Sequence, residues 1–384
     1  MSVTTPAGFR AAGVASGIKE SGRPDVALVV NDGPRSAAAA RVTRNRIKAA
    51  PVLWTEQVAR GGRIGAVVLN SGNANACTGP DGFADVHHTA ELVGDLLGIG
   101  AADVAVCSTG IIGVRLPTDR LFAGIRAAHA ALDPDGGPAA AEAIMTTDTV
   151  PKQVARTASS GWRLGGMAKG AGMLAPELAT MLVVLTTDAD LEPHVLDAAL
   201  GAATAVTFER LDTDGCLSTN DTVVLLASGA SGVRPEPEEF TAVLVDACAD
   251  LAHQLAADAE GAGKLITVEV RGAASEPDAV QVARAVARSN LVKCAIGGGD
   301  PNWGRILAAI GTTTARFEPD GIDVAINGVQ VCRRSAIGED RAKVDLSGRD
   351  VTITIELHAG AATARLLTTD LTAAYVHENS AYST

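Results

Sequence analysis

Thr180 is the hydroxyl with the most suggestive surroundings in this 384-residue sequence. It closes the stretch KGAGMLAPELAT, residues 169–180, and opens directly onto the apolar run Met181 to Leu185. Glycine lets the backbone take positive φ and lets other groups approach closely, while Pro176 forbids a regular helix interior. A short run rich in Val and Leu reads as a fully buried strand. The stretch is therefore a tight loop that delivers Thr180 to the first position of such a strand. One chemistry it suits is nucleophilic. A threonine hydroxyl is weak until a nearby base activates it, and a freed α-amine on the same residue is a known base. A second reading is a dinucleotide loop, since Gly170-x-Gly172-x-x-Ala175 fits the pattern and Asp188 lies near the distance of a ribose ligand. That fold needs a crossover connection of ~10–12 residues or more. Only Pro176 to Thr180 are available, which argues against it. A third reading is a Gly-Pro loop with no chemistry attached.

Other groups offer complementary chemistry. The loop Cys107-Ser108-Thr109-Gly110 supplies a hydroxyl and unencumbered backbone N–H groups, the equipment of an oxyanion hole or of an ordinary turn. Lys169, in the glycine-rich loop, is placed to bind a substrate carboxylate or else is a solvated surface lysine. Glu260 follows a long helical pattern, and a carboxylate near a helix C-terminus opposes the dipole. It needs another partner, either a cationic substrate amine or Lys264. Asp300-Pro301-Asn302-Trp303-Gly304-Arg305 reads as a turn opening a helix, with the tryptophan as a packing anchor. Gly263-Lys264 is followed by Leu265 and lacks the upstream glycine of a nucleotide P-loop.

The elements that must position these groups are legible in outline. Val26 to Val30, Ile64 to Leu69 and Val104 to Gly113 read as strands or as strands breaking into loops. Helical patterning appears at Asp85 to Leu97, Thr118 to Leu132, Ala139 to Met145, Val195 to Phe208, Asp278 to Arg288 and Arg305 to Ile310. The longest helix is expected over Glu238 to Asp258, where Phe240, Leu244, Cys248, Leu251 and Leu255 form an apolar stripe. Val351, Ile353, Ile355 and Leu357 alternate strictly, the mark of a strand with one buried face. Strands and helices are grouped rather than strictly alternating, which favours an α+β fold. Thr-Thr-Asp recurs at 146–148, 186–188 and 368–370, too short a unit to establish a repeat.

Composition narrows the function classes. A net charge of −12 disfavours nucleic acid or an anionic membrane as partner. No run approaches the ~20 apolar residues of a spanning helix, and the N-terminus lacks a signal-peptide core, so a soluble cytoplasmic protein is expected. Hydrophobic residues make up 47% but aromatics only 3%, so the core must be filled by Ala, Val, Leu and Ile. The six cysteines are scattered with no CxxC pair, as expected of reduced thiols. His87 and His88 are adjacent and no metal-binding spacing occurs, which argues against a metal site.

Taken together, these segments resemble the ornithine acetyltransferase (glutamate N-acetyltransferase, ArgJ) family of arginine biosynthesis. The matching pieces are AAPV at 49–52, SGNANACTG at 71–79, STGIIG at 108–113, MTTDTVPK at 145–152 and KGAGMLAPELATML at 169–182. They continue with STNDT at 218–222, DAEGAGKLI at 258–266, DPNWGRILAAIG at 300–311 and YVHENSAYST at 375–384. The resemblance implies self-cleavage between Ala179 and Thr180, giving an α chain 1–179 and a β chain 180–384 with Thr180 as nucleophile. It implies an oxyanion hole of Thr109 and Gly110, and substrate contacts from Thr146, Lys169, Thr180, Glu260, Asn379 and Thr384. The implied fold is an αββα sandwich over about 1–265, with a smaller α+β domain over 266–384 whose tail returns to the active site. The implied assembly is an α2β2 heterotetramer. The implied reaction moves acetyl from N-acetylornithine to L-glutamate without a cofactor, with acetyl-CoA a further candidate donor. A related self-cleaving aminopeptidase or amidase is the alternative. Val42, Cys216 and Gly297 depart from the family pattern.

Overall fold

The computed structural model describes residues 2–175 and 181–381. Its centre is two stacked β-sheets. The first has the order β1-β2-β4-β5, built from β1 (Phe9–Val14), β2 (Val26–Asn31), β4 (Ala66–Asn73) and β5 (Val104–Ile111). The second has the order β3-β9-β8-β7-β6. Its strands are β3 (Ala37–Val42), β6 (Lys152–Thr157), β7 (Arg163–Lys169), β8 (Leu182–Thr187) and β9 (Thr222–Ala227). The chain is thus of mixed α and β structure, with stacked sheets between helix layers.

The apolar run that follows the loop explains the stacking. Alternate side chains of a strand point to opposite faces. Leu182 and Val184 of β8 join Leu226 of β9 in the core shared with the first sheet. Val183 and Leu185 face the other way, into a second core with Leu244 and Leu251. Both faces are covered, so Leu182 to Leu185 show no polar alternation. The outer face of the first sheet is covered by α2 (Gly79–Leu97) and α3 (Thr118–Ala130). That of the second is covered by α5 (Pro193–Val206) and α6 (Pro237–Ala257). Helices α1 (Ala50–Ala59) and α4 (Gly137–Ala143) each touch both sheets and close the sides of the sandwich.

A third sheet, ordered β13-β12-β11-β14-β10-β15, builds its own core. Its strands are β10 (Leu265–Ala273), β11 (Asp323–Ile326), β12 (Val329–Arg333), β13 (Ala336–Ile337), β14 (Asp350–Glu356) and β15 (Ala362–Thr369). Helix α7 (Glu276–Ala287) packs on β10 and β15, and α8 (Asn290–Gly297) and α9 (Trp303–Ile310) pack beside it. Trp303 packs against this core as the anchor expected of it, and Asn302 caps α9 by accepting from Arg305 N.

Several expectations shift. Helix α2 begins at Gly79 rather than near Asp85. The sequence shows no helical pattern before Asp85, yet α1 lies there, with Pro51 in its first turn, where a missing N–H costs nothing. The polar C-terminal stretch forms α10 (Ala373–Ala381). Cys107, Cys248 and Cys332 are buried and Cys77, Cys216 and Cys294 exposed, all as free thiols. No helix among the described residues is long and apolar enough to cross a membrane.

Candidate active site

The loop that opened the sequence reading leaves β7 at Lys169 and returns as β8 at Leu182, and these two residues face each other across an antiparallel pair. The connection is a wide hairpin, with no crossover between parallel strands, so the dinucleotide reading has no scaffold here. Ala179, Thr180 and Thr384 lie outside the described residues. The other expected site residues are described, and most converge on the mouth of this hairpin.

Lys169 is 2% exposed, against its default reading as a surface lysine. Its Nζ donates to Thr109 Oγ1 at 3.3 Å, joining the second sheet to the end of β5 in the first. Burial lowers the Lys169 pKa and Lys152 lowers it further, while Asp148, Glu260 and Asp221 raise it. Nearby carboxylates favour the charged form of a buried lysine, against the cost of desolvation. Next to Thr109, Gly110 has φ of +131° and comes so close to β4 that a Cβ would lie 2.3 Å from the Gly72 carbonyl carbon. Only glycine fits there.

Glu260 lies just beyond the end of α6 and is half-buried. Its Oε1 accepts from Thr147 Oγ1 at 2.7 Å, and its backbone N–H donates to Ala171 O at 3.0 Å. The carboxylate presses on the loop so closely that a Cβ on Gly172 would lie 2.5 Å from Oε2. Lys264 is not its partner. That ammonium donates to the carbonyls of Leu346 and Gly348, each at 2.7 Å. A cation within electrostatic reach of Glu260 is Lys169, on the other side of the loop.

Thr146 is half-buried, and its N–H donates to Asp148 Oδ2 at 2.9 Å. The C-terminal segment does return to this region, with Thr372 Oγ1 donating to Gly261 O at 2.6 Å. Asn379 is exposed on α10 and its Nδ2 donates to Tyr375 O at 3.0 Å, so its side chain is turned back on its own helix. Of the residues that depart from the family pattern, Val42 packs on the small cluster of Ala49, Val52, Ala74 and Ala76. Cys216 is exposed, and Gly297 backs onto Asp370.

Sequence reasoning missed the groups that brace the site. Asn220 Nδ2 donates to Ala74 O at 2.6 Å and to Ser108 O at 2.9 Å, tying β4 and β5 together beside Thr109. Asp221 is fully buried and accepts from Met181 N at 3.1 Å. Burial pushes its carboxyl well above the usual range, against the pull of Met181 N–H, Ser218, Lys169 and Thr43. The only signal for either was their place in the STNDT segment.

This arrangement sets a buried lysine, a half-buried glutamate and a threonine hydroxyl beside a glycine-lined backbone turn, all around one loop. Residues 10–384 match the model of the ArgJ family. Proteins named arginine biosynthesis bifunctional protein ArgJ, from Streptomyces coelicolor and Thermobifida fusca, are each 63% identical to this chain, with 100% of both chains covered. Among solved structures, ornithine acetyltransferase of Mycobacterium tuberculosis in complex with ornithine is 59% identical. It covers 47% of this chain and 96% of its own, with a TM-score of 0.45. The chain belongs to the ArgJ family of arginine-biosynthesis acyltransferases.

Proposed function

We propose that this enzyme moves an acetyl group from N-acetylornithine to L-glutamate through an acyl-enzyme on Thr180. The observation that carries this reading is the pairing of a buried Lys169 with Glu260 on either side of one loop. Both substrates carry an α-carboxylate, which Lys169 would hold. Ornithine also carries a side-chain ammonium, which Glu260 would hold once Lys264 is accounted for elsewhere. Thr109 and Gly110 would stabilise the oxyanion formed when Thr180 attacks the acetyl carbonyl. Ornithine leaves, glutamate enters the same site, and its amine takes the acetyl group, a ping-pong cycle.

The same reading divides the molecule into an α chain 1–179 and a β chain 180–384 assembled as α2β2, working in the cytoplasm without a cofactor. The relatives are called bifunctional, and acetyl-CoA as a second acetyl donor to glutamate gives that word a meaning here. Purified enzyme given N-acetylornithine and glutamate should form N-acetylglutamate in step with ornithine. Release of free acetate with no N-acetylglutamate would point to the aminopeptidase or amidase alternative. N-acetylglutamate from glutamate and acetyl-CoA alone would establish the second donor.

Two variants test the substrate contacts. Glu260→Gln should weaken use of N-acetylornithine by ~1–3 kcal/mol, the value of a charge-assisted hydrogen bond, and use of glutamate by less. Equal losses would show that Glu260 serves the loop rather than the substrate ammonium. Deleting residues 379–384, which removes Asn379 and Thr384, should abolish transfer while leaving chain cleavage intact. Full activity in the shortened protein would remove the tail from the site.

A further inference from the structure

Residues 146–149 form a brace whose last three members reach other segments of the chain, while Thr146 is held by Asp148. Thr146 N–H donates to Asp148 Oδ2 at 2.9 Å, and Thr147 Oγ1 donates to Glu260 at 2.7 Å. Asp148 Oδ1 accepts from Gly170 N at 2.7 Å, the residue after Lys169, and from Lys152 Nζ at 2.6 Å. Thr149 N–H donates to Asp258 Oδ2 at 3.0 Å, and its hydroxyl donates to Oδ1 of the same residue. Lys152, fully buried, bridges Asp148 and Asp258 at 2.6 Å each. Asp148 itself is 3% exposed, and three donors engage its two oxygens. It has no free face to offer a substrate.

We infer that Asp148 is the positioning residue of the site: through its bonds to Gly170 N–H and Thr146 N–H it fixes the Lys169–Gly170 turn against the Thr146 segment, and so sets where Lys169 can meet a substrate carboxylate. This rests on the proposed role of Lys169. A purely mechanical brace would need only hydrogen bonds. The surroundings of Lys169 show why charge is needed too. The groups facing it are Asp148, Lys152, Glu260 and Asp221, with Lys19 also within electrostatic reach. Two of these are lysines, and burial works in the same direction, so the ammonium depends on the carboxylates. Asp148 is foremost among them. Burial pushes the Asp148 carboxyl up, but Lys169, Lys152 and the Gly170 N–H outweigh it and hold it at about 2. It is therefore an anion throughout the working range of any enzyme near neutrality.

The sign follows directly. A substrate carboxylate binds the Lys169 ammonium, so kcat/KM should fall as pH rises through the lowered Lys169 pKa. Asp148→Asn removes the foremost influence holding that pKa up, so the alkaline limb should move to lower pH. KM for both carboxylate substrates should rise in step with that shift, most at the alkaline end of the profile. An alkaline limb left in place, in a variant that melts like the parent, would overturn the inference. Asp148→Glu covers the case in which the amide variant fails to fold. It keeps the charge but lengthens the side chain, so KM should rise with the limb unmoved, and parental KM values would overturn the inference. Lys169→Met separates this claim from the one beneath it. If Lys169→Met leaves KM unchanged, the carboxylate-binding role fails and the inference falls with it. If Lys169→Met raises KM and abolishes the limb while Asp148→Asn moves neither, only the role of Asp148 is wrong.

Discussion

Replacing Thr180 by Ala should leave a single uncut chain with no acetyl transfer. In the uncut protein the Thr180 nitrogen is a peptide amide and cannot act as a base, so the proposed cleavage depends on the hydroxyl and on groups around it. That hydroxyl attacks the Ala179 carbonyl, the peptide C–N bond breaks as an ester forms, and the nitrogen takes up the proton. Water then hydrolyses the ester, leaving a carboxylate on Ala179 and a free α-amine on Thr180. The neighbourhood suits such chemistry. Met181 N–H is pinned to the buried Asp221, and β8 is locked between β7 and β9 from Leu182 onward. Thr180→Ser keeps the hydroxyl and loses the methyl that restricts χ1, so it should cut partly and turn over slowly. Mass spectrometry of the parent enzyme with N-acetylornithine alone should find one acetyl group, on the first residue of the β chain. An acetyl group elsewhere, or an uncut parent with full activity, would sink the mechanism.

How much of this was legible depended on whether a group's partner is near it in sequence. The stripe of α6 and the buried run of β8 were readable because periodicity is local, and both stand within a residue or two of where patterning put them. The Lys169–Thr109 contact spans 60 residues and the Thr147–Glu260 contact spans 113, and no periodicity reports on either. The surface alternative for Lys169 stayed open because lysine is almost never buried unless paired, and its balancing carboxylates come from separate segments. Glu260 was offered Lys264, four residues away, because near neighbours are the partners a sequence can display. The recurrent Thr-Thr-Asp shows the same limit. In each copy the aspartate accepts backbone N–H groups that hold a turn: Gly170 and Thr146 for Asp148, Arg163 and Ala7 for Asp188, Gly263 and Lys264 for Asp370. Three residues of sequence could not reveal a shared job whose partners, Thr146 apart, are all elsewhere. The family resemblance supplied Thr109, Thr146, Lys169 and Glu260 as a set, but not the braces that make them one site.

Gly110→Ala should be the most damaging single-methyl change in the described part of the molecule's active site. The position combines two constraints. Its φ of +131° is strained for any residue with a Cβ, and the added atom would lie 2.3 Å from the Gly72 carbonyl carbon and 2.5 Å from Asn73 N. Those are backbone atoms of the paired strand, which cannot rotate away, and the β4–β5 register already shifts at this point. The strands must part, and Thr109 next door then loses its 3.3 Å contact with Lys169. Overpacking of this kind typically costs ~1–3 kcal/mol of stability. Activity should fall by more, because losing one oxyanion donor alone is worth ~10²–10³-fold in kcat, and the displaced turn carries both proposed donors. Thr109→Val separates the two effects. It preserves the shape of the side chain and avoids the backbone clash, so it should lose a similar ~10²–10³-fold in kcat, with a stability cost set by the loss of the Lys169 Nζ acceptor alone. Steady-state kinetics and thermal melts of the two variants decide the matter. Parental kcat in a well-folded Thr109→Val protein would remove that hydroxyl from the oxyanion hole, and parental kcat in Gly110→Ala would remove the hole from this turn altogether.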